Sequence, residues 1–120
     1  MNSEDCLKVI NKINDCLKEN LWMDFEMCKM NEGNIVLSGM LDELDDEIIE
    51  ISFIQPFMCS CALRFTYDEG EFISLIQGES AIEINKKYKV EQGNYIFSIS
   101  IDGCNDYFII AKEIQVRIAK

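Results

Sequence analysis

Three sets of residues in this chain have the types and spacing to do chemistry. Cys59-Ser60-Cys61 places two thiols two residues apart, so in a strand both point the same way and could ligate a soft metal or act as a redox pair. A zinc knuckle wants C-x2-C and further ligands, which are absent, and Leu63 and Phe65 continue the same face, so the preferred reading is a pair of small core residues. Asp42-Glu43-Leu44-Asp45-Asp46-Glu47 offers the clustered carboxylates that hard cations favour, but without the glycine and alternating ligands of a calcium loop. It reads as a solvated acidic loop or, with Glu50 just beyond it, as a surface for a basic partner. Asp24, Glu26 and Glu50 could supply paired carboxylates for glycoside hydrolysis if the fold brought them together. Their alternation with apolar neighbours assigns them instead to the solvent side of strands.

The chain has no histidine, which removes the commonest general base, the commonest neutral metal ligand and every Ser-His or Cys-His dyad. Gly33, Gly39, Gly70, Gly78, Gly93 and Gly103 are scattered, so neither familiar phosphate-cradling fingerprint is present. The expectation is a non-catalytic protein with no catalytic residue, no cofactor and no metal site.

Charge is the strongest compositional signal. The 22 acidic residues outnumber the 11 basic ones, for a net −11. Met1 to Ser60 holds 13 acidic and 4 basic residues, net −9; the remainder holds 9 and 7, net −2. Such a field repels nucleic acid and anionic membrane and favours encounter with a basic partner. No apolar run approaches the ~20 residues that span a bilayer. The start, Met1-Asn-Ser-Glu-Asp-Cys6, is acidic where a signal peptide is basic, so a cytoplasmic protein is expected. With no sign of export, the six irregularly spaced cysteines read mostly as reduced core thiols.

The elements follow from periodicity. Leu7, Ile10, Ile13, Leu17 and Leu21 recur at helical spacing over about residues 4–20, with Ser3 as the N-cap and Glu4 and Asp5 in the first turn. Trp22 is expected to anchor this helix to the core between Leu21 and Met23, an exposed hot spot being the alternative. From Met23 the period is two. Strands are predicted around Met23–Met27, Ile35–Met40, Ile49–Phe53, Cys59–Tyr67 and Phe72–Gln77, then Ala81–Ile84 and Tyr88–Glu91, and finally Tyr95–Ile101 and Tyr107–Ile118. Asn31-Glu32-Gly33-Asn34, Asp68-Glu69-Gly70-Glu71 and Asp102-Gly103 supply turns, Gln55-Pro56 an edge or a break, and the alternation slips between Ala111 and Ile114 as at a bulge. The predicted fold is one α+β domain over residues 1–120. An N-terminal amphipathic helix precedes about eight antiparallel strands over 23–118, forming a curved sheet or partly closed barrel.

The strand pattern around Trp22-Met23-Asp24-Phe25, Ile49-Glu50-Ile51-Ser52-Phe53 with Gln55-Pro56-Phe57, and the closing Tyr95–Ile118 hairpin resembles small β-rich immunity proteins of bacterial toxin systems. That resemblance implies a non-catalytic inhibitor that binds one cognate toxin. The residues assigned to partner binding are Asp42, Glu43, Asp45, Asp46, Glu47 and Glu50. Three other readings stay open: a small barrel holding an apolar ligand near Met58, Ala62, Ile76 and Ile82, a structural protein, and an enzyme using carboxylates or a thiol. The sequence fixes no oligomeric state.

Overall fold

The computed structural model describes residues 1–31, 33–41, 47–101 and 104–119, with only the backbone described for 28–31 and 104–106. Its elements, in chain order, are α1 (Ser3–Lys18), β1 (Asp24–Asn31), β2 (Asn34–Met40), β3 (Ile49–Ser60), β4 (Arg64–Thr66), β5 (Ile73–Ile76), α2 (Glu79–Tyr88), β6 (Tyr95–Ile101) and β7 (Cys104–Ile118). The strands form one antiparallel sheet in the order β4-β1-β2-β3-β7-β6-β5, curled into a half-barrel. The expected α+β class is correct, with seven strands and two helices among the described residues in place of about eight strands and one helix.

Helix α1 starts one residue earlier than its sequence cap suggested. Asn2 is the N-cap: its side-chain oxygen accepts from the Asp5 N–H at 2.9 Å, while the Asp5 carboxylate accepts from the Asn2 N–H at 3.3 Å. Two otherwise orphaned donors are thereby satisfied reciprocally. Cys6, Ile10, Ile13 and Leu17 bury their side chains against the inner face of the sheet, and Asn14 is buried among them. Leu7 and Leu21, the ends of the expected apolar stripe, are exposed.

On the sheet, period-two patterning does what it should. Met23 and Phe25, Ile35 and Leu37, Ile49, Ile51 and Phe53, Phe97 and Ile99, and Ile109, Ile114 and Val116 face inward, while Glu26, Ser38, Glu50 and Arg117 face out. The slip in the last strand is real, but the extra residue lies in its partner. Pro56 pairs with Ala111 and Met58 with Ile110, so Phe57 is the bulged residue, in β3 rather than β7. Pro56 is tolerated because β2 pairs with β3 only as far as Phe53, leaving one side of β3 open beyond it.

The curl is drawn together by aromatic rings. Phe72, arriving at β5 on one edge of the sheet, stacks on Phe25 at 4.8 Å and on Phe65 of the opposite edge strand at 6.0 Å, with Tyr67 edge-on to it at 5.7 Å. Offset and edge-to-face pairs of this kind add about 1 kcal/mol each to the area they bury.

Residues 79–91 depart most from expectation: the strand predicted at Ala81–Ile84 lies within a helix, α2, that ends at Tyr88 and is closed by Lys89 in the left-handed conformation, and Tyr88–Glu91 forms no strand. Ile82 and Ile84 flanking Glu83 mimic strand alternation, whereas Ala81, Ile84 and Tyr88 hold helical spacing and are its half-buried positions. The Tyr88 ring lies 5.9 Å from Phe108, whose neighbour Ile109 faces the core, so α2 rests on the outer face of the sheet.

Candidate functional site

The acidic candidates divide. Asp42, Glu43, Asp45 and Asp46 lie outside the described residues; Glu47 and Glu50 are described and meet at a single guanidinium. Glu50 faces Arg117 across the β3–β7 ladder, and the Arg117 Nη2 donates to Glu50 Oε2 at 2.9 Å and to Glu47 Oε1 at 3.3 Å. The Ser38 hydroxyl, beside Glu50 on β2, donates to Glu47 Oε2 at 2.7 Å. Two carboxylates on one arginine leave a net negative charge, and because all three groups touch water the cluster adds little stability.

The hydrolytic trio lies on the same outer face. Glu26 and Glu50 sit on either side of Ser38 in register, two strands apart, which separates their Cα atoms by roughly 10 Å. Glu26 is bound by Arg64 at 3.2 Å and Asp24 accepts from the Thr66 hydroxyl at 2.7 Å. Each carboxylate is engaged with a neighbour on the sheet rather than aimed with the others at a common point. Among the described residues no three thiol or carboxylate side chains converge as a metal site.

Cys59 and Cys61 are free and half-buried against the core. Burial, and then the neighbouring Cys59, push the Cys61 thiol up to about 12. Cys59 is also raised, chiefly by burial. Metal ligation and thiol exchange both need the thiolate, which these surroundings disfavour. The face expected to line a ligand cavity is not assembled, since Ile82 lies on α2, 54% exposed. The inside of the curl is filled by α1 and the Phe25–Phe72 stack.

What the sequence did not place is Trp22. It is 64% exposed rather than buried, and its φ of 66° puts a bulky residue in the left-handed region. The turn that holds it follows the end of α1, where the Asn20 amide donates to the Cys16 carbonyl at 2.8 Å. Leu21 and Leu41 are exposed too. Asp24 pairs with Met40, Asp24 with Thr66 and Ile49 with both Gly39 and Ile118, so the start of β1, the ends of β2, β4 and β7 and the start of β3 share one end of the sheet. Asp24, Glu47, Glu50, Asp68 and Glu69 belong to that end, as does Glu19 at the close of α1. The chain matches no protein-family model, no curated protein and no solved structure. The reading of the site therefore rests on its geometry: an exposed tryptophan with two exposed leucines, within a predominantly acidic rim.

Proposed function

We propose that the chain is a non-catalytic binding module that docks a basic protein partner at the acidic end of its sheet. Trp22 is the apolar anchor, and the surrounding carboxylates provide steering. The observation that carries this is the backbone of Trp22. A non-glycine residue at positive φ costs on the order of 1 kcal/mol, and here that strain holds a large aromatic ring in water where it contributes little to the core. Buried aromatic anchors ringed by polar groups dominate binding energy at protein interfaces, and charge complementarity raises the encounter rate. An immunity-type inhibitor facing a cationic toxin is the specific form of this proposal that the sequence resemblance suggests.

The test is capture of partners from an extract of the producing cells at low ionic strength, followed by binding kinetics on the purified partner. The association rate should fall steeply as salt rises, and Trp22→Ala should weaken the complex roughly thirtyfold, the loss of an anchor worth about 2 kcal/mol. A partner whose binding is indifferent to both salt and Trp22 would overturn the reading.

A further inference from the structure

We propose that the outer edge of β4 is the seat of an extended segment of the partner, which pairs with it as an added strand. This rests on the binding-module reading and says how the partner is held. The Met27 N–H donates to the Leu63 carbonyl and the Tyr67 N–H to the Met23 carbonyl, each at 2.8 Å. That register turns the peptide groups of Leu63, Phe65 and Tyr67 toward β1 and those of Arg64 and Thr66 away from it. The sheet ends there, so these donors and acceptors face outward without a neighbouring strand among the described residues.

Two other open stretches of the sheet are capped in part by side chains. At β5, the Asn14 amide bonds to both peptide groups of Ile73. At β3, the Asn34 side chain accepts from the Gln55 N–H at 3.1 Å, Gln55 itself is turned to φ 49°, and Pro56 brings no N–H. Among the described residues β4 has no such cap. Beside it Leu63 is 69% exposed, the most exposed large apolar side chain described.

These surroundings define the occupant. A residue opposite Thr66 falls on the outer face, where a lysine or arginine would reach the Asp24 carboxylate. Residues opposite Phe65 and Leu63 fall on the inner face, where apolar side chains would cover Leu63, and the residue between them faces Arg64, whose guanidinium is held by Glu26. Asp68 and Glu69 follow the strand after Tyr67 and favour further cationic residues. A second copy of this chain does not fit, since each copy carries net −11. The segment is thus extended, alternately apolar and basic, and donated by another protein, with main-chain hydrogen bonds giving affinity and alternate side chains giving choice.

The probe is a capped peptide alternating valine and lysine, added to the isotope-labelled protein while backbone amides are followed by NMR and hydrogen exchange. The amides of Arg64 and Thr66 should shift and gain roughly tenfold or more protection. A peptide of equal charge, N-methylated at alternate residues, should lose the effect, as should one with glutamate for lysine. Thr66→Pro removes one outward N–H and the hydroxyl's bond to Asp24 while sparing the main-chain bonds to β1, and should weaken the peptide roughly tenfold with the fold intact by circular dichroism. Should that variant fail to fold, the N-methylated peptide still decides. Absence of binding, equal binding of the N-methylated peptide, or shifts that bypass β4 would overturn the edge proposal. The binding-module reading fails separately, through a native partner insensitive to salt and to Trp22→Ala.

Discussion

The side chain of Asn14 acts as a strand for Ile73. Its Nδ2 donates to the Ile73 carbonyl at 2.9 Å, and its Oδ1 accepts from the Ile73 and Phe72 N–H groups at 3.1 Å each. One buried amide on α1 thereby satisfies three main-chain groups where the sheet would otherwise end unpaired, and fixes the helix to the edge of the curl.

Removing that amide should be among the most damaging single changes. Asn14→Ala leaves three buried polar groups short of partners and should cost about 3 kcal/mol, given 1–3 kcal/mol for each group left unsatisfied. Asn14→Asp keeps the acceptor but sets a carboxylate against the Ile73 carbonyl, so it should not restore stability. Urea unfolding measures both, and the Phe72 and Ile73 amides should exchange faster in the variants.

Gly39 is fixed by its neighbours rather than by its backbone. A Cβ there would lie 2.5 Å from the Met23 sulfur, 2.7 Å from Ile49 Cγ2 and 2.9 Å from Phe25 Cε1. Gly39→Ala should therefore destabilise by about 2 kcal/mol through overpacking, seen as a lower urea midpoint. The added methyl group must displace side chains at the beginnings of β1 and β3, next to the proposed docking end.

Much of this architecture was legible in the sequence because a strand such as β3 buries one face over Ile49–Phe53, and period two then writes itself into residue type. The Asn31–Asn34 pairing that ends the first hairpin and the Ile49–Phe53 alternation were read from pattern alone. Failures came where two periods agree over a short span, as at Ile82-Glu83-Ile84, or where hydrophobicity gave no clue to exposure, as at Trp22. Asn14 had a signal. A polar residue between Ile13 and Leu17 on the buried stripe announces a hydrogen-bonded partner, although not which strand provides it. Glu47 and Glu50 were assigned to one acidic surface, but the arginine that neutralises part of their charge is 67 residues further on from Glu50. No local pattern can place it.

The exposure of Trp22 separates a docking residue from a core anchor before any partner is known. Its fluorescence should be red-shifted and readily quenched by acrylamide in the folded protein, as no core tryptophan would be. Trp22→Ala should change stability by no more than about 0.5 kcal/mol, as for surface positions generally. Trp22→Gly should be neutral or slightly stabilising, because glycine adopts φ near 66° without strain. A large loss of stability in Trp22→Ala would return the ring to a structural role.

Alkaline pH should be the protein's weak side. The thiols of Cys6, Cys16, Cys59 and Cys61 and the Tyr67 hydroxyl are all raised, burial being the largest cause in each. A group with a folded pKa above its unfolded value contributes stability that is fully present below the unfolded value and is lost as pH rises through the folded one. For Cys61 that window runs from the ordinary 9.0 to about 12. The urea midpoint should therefore hold steady up to about pH 8 and decline above 9, as the unfolded chain releases thiol protons that the folded chain retains. Cys61→Ala should start from a lower midpoint but fall less steeply over the same range, because the most strongly shifted thiol is gone. In the wild type at pH 8, iodoacetamide should label Cys61 far more slowly than it labels the urea-unfolded chain. Rapid labelling of the folded protein at that position would show a reactive thiolate and reopen the redox reading of Cys59 and Cys61.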